Sequence, residues 1–246
     1  MNMSSNLLFT SCGDQTTCHE LWTKTNRNYE TMAVYYGDDD TRFKLYCERF
    51  DYVFRHKGSK FQNFFSFYRG SNILSRYERL FIVDDDIVID TSQINSLFDF
   101  SVDQNLEICS PSITKDSKIS HDVTVSQPDC LYRYTNFIEV NTPLMTRDAV
   151  QRLNKVYNSR LIGWGVDWLY IWACCDRNIP ATDTRKFAIN DQITCVNPHD
   201  VKKQDKRELY KLPNSSDVQR RDMWWKYAKH VGCPSDWATK TLEKIV

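Results

Sequence analysis

Short apolar runs alternate with longer amphipathic stretches through the first half of the chain, and this alternation restricts the folds open to it. "NLLFTS" (6–11), "TMAVYYG" (31–37), "DYVFRH" (51–56), "RLFIV" (79–83) and "LEICSPS" (106–112) predict strands. Between the second and third, "DDTRFKLYCERF" carries Phe43, Tyr46, Cys47 and Phe50 at helical spacing, with Asp39 or Asp40 placed to cap the helix. "FQNFFSFYRGSNILSRY" (61–77) and "QINSLFDFSVDQN" (93–105) predict two more amphipathic helices. Strand–helix–strand alternation of this kind predicts an α/β fold, a sheet covered by helices on both faces. The second half is less regular. "TNFIEVNTPLMT" (135–146) predicts a strand running into a turn, and "RDAVQRLNKVYNS" (147–159) a helix with Ala149, Leu153 and Val156 on one side. "VDWLYIWACCDRN" (166–178) is apolar enough for a buried helix, and "DVQRRDMWWKYAKHVG" (217–232) predicts a helix with an aromatic face. The polar run 114–129 reads as a mobile loop.

The 246 residues suit one domain, and 41% hydrophobic against 26% charged residues allows a packed core. Lys+Arg and Asp+Glu balance at 32 each, so bulk charge supports neither a nucleic-acid nor an anionic-membrane partner. No apolar run reaches the length of a transmembrane helix, and the first residues lack the basic start of a secretory signal. The expected location is therefore cytoplasmic. The 9 cysteines include no C-x-x-C pair, which argues for reduced, mostly buried thiols over a zinc site or a disulfide framework.

Two stretches stand outside this pattern. In "RLFIVDDDIVID" (79–90), Asp84, Asp85 and Asp86 interrupt an apolar run, although strand interiors avoid Asp. Clustered carboxylates at the end of a core strand need a cation, and Mg²⁺ or Mn²⁺ with substrate phosphates supplies one. In an α/β sheet, ligands bind beyond the carboxyl ends of the strands. Asp84 and Asp86 form a D-x-D pair that an extended backbone would project to one side. The alternative is a solvated acidic turn. The other acidic run, Asp38–Asp40, precedes a helix and reads as a cap. A receiver-domain acidic pocket is a rival for Asp84–Asp86, but a receiver begins near its motif, and no later strand ending in a phosphorylatable Asp follows here. The second stretch is "SRLIGWGVDWLYIW" (159–172). Gly163 and Gly165 bracket Trp164, allowing a tight turn or a close approach to ligand. Asp167, set among Trp164, Val166 and Trp168, would be desolvated and so suited to a general base. The alternative is an N-cap Asp flanked by structural tryptophans.

Taken together, a D-x-D strand end followed about eighty residues later by G-W-G-x-D resembles the GT-A glycosyltransferase superfamily of nucleotide-sugar enzymes. It is most similar to a glycosyltransferase-like domain family of unknown function abundant in plants, through "SRYERLFIVDDDI", "LEICSPS", "FIEVNTPLMTR", "LIGWGVDW" and "CVNPHD". The resemblance implies a single GT-A (Rossmann-like) domain with a mixed, mostly parallel sheet. Its nucleotide-binding half would cover about 1–110, its acceptor-binding half about 111–200, and a C-terminal helical segment about 201–246. It implies Mn²⁺ or Mg²⁺ on Asp84, Asp86 and His199 against a UDP-type diphosphate, with Asp85 intervening. Thr10, Ser11 and Cys12 would border the nucleotide base and Lys60 would meet phosphate or nucleotide. Asp167 would be the catalytic base of an inverting transfer. Glu139, Trp164 and Trp168 would face a glycan acceptor, although a core role fits either tryptophan equally. Water must be kept from the donor, and run 114–129 is the expected lid. The plant relatives usually carry a membrane anchor ahead of the domain, and none is expected from this sequence. The competing classes are a non-catalytic carbohydrate- or Ca²⁺-binding module and a nucleotide-sugar hydrolase.

Overall fold

The computed structural model describes residues 5–16, 19–179, 185–199 and 208–246. Cys18 and residues 200–207, where the expected C-terminal segment begins, lie outside them. The expected sheet is present and larger than the sequence suggested. Nine strands, β1 (Asn6–Cys12), β2 (Glu30–Tyr35), β3 (Tyr52–Arg55), β4 (Arg79–Ile82), β5 (Ile108–Ile113), β6 (Tyr132–Thr135), β7 (Leu144–Thr146), β8 (Phe187–Cys195) and β9 (Thr241–Ile245), form one sheet in the order β3-β2-β1-β4-β7-β5-β8-β6-β9. Helices α1 (His19–Trp22), α2 (Asp40–Arg49), α3 (Lys60–Gly70), α4 (Thr91–Asp103), α5 (Arg147–Asn154), α6 (Val166–Cys174) and α7 (Asp217–Val231) surround it.

The β3-β2-β1-β4 half is wholly parallel. Beyond β4, among the described residues, only β5 and β8 pair in parallel; β7, β6 and β9 all pair antiparallel. The sheet is mixed as expected, but its parallel character belongs to the first half. Because β7 runs against both β4 and β5, strands β1, β4, β5 and β8 all point their carboxyl ends to one edge. The central strands are buried on both faces: β1 is buried from Leu7 to Cys12 and β5 throughout, which is why they read as continuous apolar runs.

Several expectations change in detail. The acidic triplet is not extended: β4 stops at Ile82, and the Ile87 amide donates to the Asp84 carbonyl at 3.2 Å, closing a turn. Asp is favourable in a turn because its side chain competes for nearby backbone donors. The apolar "IVI" that follows is not a strand either; it makes one antiparallel bridge, Val88 to Val196. Of Asp38–Asp40, Asp39 caps α2, accepting from the Thr41 amide at 2.7 Å, while Asp38 and Asp40 pair with Lys57 and Arg55. The run 114–129 is pinned along its length. The Lys118 amide bonds the Asn197 carbonyl at 2.8 Å, Val125 bridges Ile113, and the buried Arg133 guanidinium holds the Val123 and Val125 carbonyls at 2.9 and 3.0 Å. Arg133 itself makes a two-pronged pair with Asp191 at 2.7 and 3.0 Å, both side chains fully buried. The tail is not purely helical, since β9 adds an edge strand that pairs with β6.

Candidate active site

Sequence places three carboxylates just after β4, and local structure gives Asp84 and Asp85 different partners. Asp85 faces inward. Its Oδ2 accepts from the Gly13 amide at 3.1 Å, from the Thr16 hydroxyl and from the Tyr36 hydroxyl at 3.4 Å, which ties this turn to the loop leaving β1. Asp84 meets Lys60, whose ammonium lies 2.7 Å from Oδ1. The same ammonium donates to the carbonyls of Val140 (2.6 Å), Ile82 (3.1 Å) and Asn141 (3.2 Å). Asp86 is half-buried at the turn. Lys60 opens α3, where the Gln62 side chain accepts from the Ser59 amide at 2.9 Å, and points back into the sheet end. Burial lowers its proton affinity and the Asp84 carboxylate opposes that shift. The cation demanded by the acidic cluster is thus partly supplied by the chain itself. Lys60 is turned toward Asp84 and three backbone carbonyls, not toward the surface.

Segment 136–143 crosses in front of this turn before entering β7: the Asp84 amide donates to the Asn141 carbonyl and the Ile82 amide to the Pro143 carbonyl, both at 2.9 Å. This brings Glu139 to the site. Glu139 is 3% exposed; Oε1 accepts from the Asn141 side chain at 2.8 Å, and Oε2 has no well-formed hydrogen bond. Burial raises its pKa to about 7, the Ser120 hydroxyl offsets part of that, and the charges of Asp167 and Asp84 add to it. Asp167 arrives from the other side, in the first turn of α6. It is 6% exposed, and burial raises its pKa to about 7. The Trp168 amide donates to its Oδ1 at 3.0 Å, and the neighbouring backbone and the Lys60 charge work the other way. Asp167 is not the N-cap; Gly165 holds that position at φ +79°. Two protonatable acids and one ammonium therefore share a desolvated corner with Asp84. Such a corner can accept a proton near neutrality.

The G-W-G turn divides its roles. A Cβ on Gly165 would sit 2.0 Å from the buried Trp224 ring, so the close approach made here is to α7. Gly163, at φ +77°, has open space around it. Trp164 is 38% exposed, with the Arg220 guanidinium 5.7 Å from its ring. Trp168 is buried, packed on Phe137 at 4.5 Å and Trp237 at 4.6 Å. Thr10, Ser11 and Cys12 belong to the end of β1 itself and are buried; Cys12 packs with Ala33, Tyr35, Tyr46 and Phe50. Ser11 accepts from the Asn63 side chain at 3.0 Å. That buried Asn63, three residues after Lys60 in α3, was not singled out from sequence, though an amide on an apolar helix face was there to be seen. His121 was also missed: its ring lies 4.5 Å from Phe137 and 5.8 Å from Trp168.

Asp84 and Asp86 are carboxylates of the kind a hard divalent ion would use alongside diphosphate oxygens and water, but Asp84 Oδ1 already meets the Lys60 ammonium at 2.7 Å. Among the described residues no three His, Cys, Asp or Glu side chains, His199 with Asp84 and Asp86 included, form a group placed to hold a metal. The exposed His199 ring instead lies 3.0 Å from the Asp116 carbonyl oxygen.

Solved structures share this architecture. S. aureus TarS, a GT-A-type glycosyltransferase, superposes with a TM-score of 0.55 at 10% identity over 93% of the chain. TarS residues 1–349 in complex with UDP-GlcNAc superposes with a TM-score of 0.57, again at 10% identity over 93% of the chain. The fold is GT-A-like. The chain spans 40% of the longer TarS structure and 66% of the shorter one. No protein-family model matches the sequence, and no curated protein does. Among the described residues no helix of the GT-A-like domain is long and apolar enough to cross a membrane.

Proposed function

We propose that this chain is a glycosyltransferase that moves a sugar from a nucleoside diphosphate donor, a UDP-sugar, to a hydroxyl of a carbohydrate acceptor, with inversion. The observation that carries this reading is the meeting of Asp84, Glu139 and Asp167 around Lys60 where β4 ends, in a GT-A-like sheet. A structural neighbour of that fold binds UDP-GlcNAc, which favours a UDP-sugar over other donors. The motif resemblance to the plant domain family points the same way.

In this scheme Asp84 and Asp86 hold a Mn²⁺ or Mg²⁺ ion. An ion held there by Asp84 and Asp86 would supply positive charge against the diphosphate leaving group. His199 joins them only by giving up the Asp116 carbonyl. Asp167 takes the proton from the acceptor hydroxyl. Its desolvated carboxylate binds that proton more firmly than an exposed one would. Attack on the anomeric carbon from the face opposite the diphosphate then inverts configuration in one displacement. Lys60 fixes Asp84 against the backbone of both flanking segments, and its charge keeps Asp167 ionisable. Asp85 holds the β1 loop, beside which Thr10, Ser11 and Cys12 would place the nucleotide base. Glu139 and the exposed Trp164 face the acceptor; Trp168 supports them from the core.

The test is UDP release from UDP-sugars with Mn²⁺, measured with and without oligosaccharide acceptors, on the chain and on Asp167→Asn. Acceptor-dependent release that the variant loses while retaining UDP binding is the expected result. Equal release without acceptor would make the protein a nucleotide-sugar hydrolase. Saccharide binding with no nucleotide binding would make it a carbohydrate-binding module.

A further inference from the structure

A cavity of about 460 Å³ opens between two segments, Ser120–Val123 and Thr239–Thr241. Its size falls in the range of small-ligand sites. A second cavity, of about 440 Å³, borders Leu212 to Gln219 at the start of α7; no residue lining it belongs to the carboxylate cluster.

The walls of the first cavity are held from behind. The fully buried Arg133 guanidinium donates from one nitrogen to both walls, to the Val123 carbonyl at 2.9 Å and the Thr241 hydroxyl at 3.4 Å. The other wall is fastened through buried Asn136, whose side chain accepts from the Lys240 amide at 2.8 Å and donates to the Ala238 carbonyl at 2.9 Å. Walls fixed in this way lose little freedom when a ligand enters.

The cavity also adjoins the carboxylate cluster. Ser120 lines it and leans on the Glu139 carboxyl. His121 lines it too, and the His121 ring packs against Phe137 and Trp168, the residue after Asp167. The lining combines three hydroxyls (Ser120, Thr239, Thr241), one acid (Asp122), one base (Lys240), one imidazole (His121) and Val123. A charged ligand would call for one sign of charge; paired signs, hydroxyls and a flat ring suit a neutral polyol.

We infer that this cavity binds a neutral saccharide, the sugar units of the acceptor next to the hydroxyl that reacts. This rests on the proposed transferase reading for the word acceptor, but not for saccharide binding itself. Thr239→Trp fills the cavity from its rim and Lys240→Ala removes one polar arm without adding bulk.

The probes are cellotetraose, xylotetraose, mannotetraose and chitotetraose, measured by saturation-transfer NMR and calorimetry on the full chain. UDP with Mn²⁺ serves as an independent probe of the other site. At least one tetrasaccharide should bind, Thr239→Trp should weaken it about tenfold or more, and Lys240→Ala should weaken it less. UDP affinity should stay unchanged in both variants. No binding by any of the four, or binding indifferent to both substitutions, overturns the subsite. Tetrasaccharide binding lost in Thr239→Trp while UDP binds to neither protein keeps the subsite and sinks the transferase reading.

Discussion

Asp167 and Glu139 are two acids of the same kind in the same corner, and their surroundings separate their roles. Asp167 takes hydrogen bonds from backbone amides at the start of α6, where the helix also favours negative charge. Glu139 has one carboxyl oxygen without a well-formed bond and feels both Asp167 and Asp84. With a base whose pKa is raised to about 7, transfer should climb through neutral pH and level off above it. Lys60→Met should move that climb to higher pH, because removing the ammonium leaves the carboxylates without their buried counter-charge. A kcat/KM profile for both proteins checks this, and superimposable profiles would separate Lys60 from the base. The carboxylates themselves were legible in the sequence: Asp84, Asp86, Asp167 and Glu139 were all singled out by pattern or resemblance. Their partners were harder to read: the resemblance gave Lys60 to phosphate or nucleotide, and its contacts to backbone carbonyls carry no sequence signal. Asp85, read as the residue between two ligands, turned out to be the one that fastens the β1 loop.

At the scale of elements, long periodic segments were readable and short irregular ones were not. Helices α2 to α7 and strands β1 to β5 came from spacing alone. β8 and β9 were missed, since "FAINDQITC" and "TLEKI" mix polar residues into strands whose pairing partners lie far away in sequence. The polar run 114–129 was read as a mobile lid because its anchors, Arg133 and Asn197, lie outside it. The G-W-G turn makes a sharper prediction. Gly165→Ala meets both a left-handed backbone and the Trp224 ring, and should cost about 3 kcal/mol or more. Gly163→Ala meets only the backbone penalty, about 1–2 kcal/mol. Urea unfolding of the two variants should rank them in that order. Equal losses would mean that α6 and α7 do not pack as described.

For the whole molecule, the site carries a stability cost with a definite pH dependence. Asp167 and Glu139 hold protons in the folded state up to about pH 7, whereas unfolded carboxyls release them near 4. The folded chain therefore binds more protons across that window, and stability should fall as pH rises from about 4 to 7 and flatten beyond. Asp167→Asn should melt higher than the parent at pH 8 and no differently at pH 4; calorimetric melts at both values decide this. A parent that is the more stable at pH 8 would place Asp167 outside the desolvated corner. The sheet also explains why the carboxylate cluster gathers at this end. Strands β1, β4, β5 and β8 all end there, and the antiparallel β7, between β4 and β5, begins there.

Everything functional turns on the bend after Ile82 being where a divalent ion and a diphosphate meet. Calorimetric titration of UDP with and without Mn²⁺, on the parent and on Asp86→Ala, addresses that point directly. The parent should bind UDP at least about tenfold more tightly when Mn²⁺ is present, and Asp86→Ala should lose that gain. UDP affinity that Mn²⁺ leaves unchanged in the parent, or a gain that survives in Asp86→Ala, would contradict it.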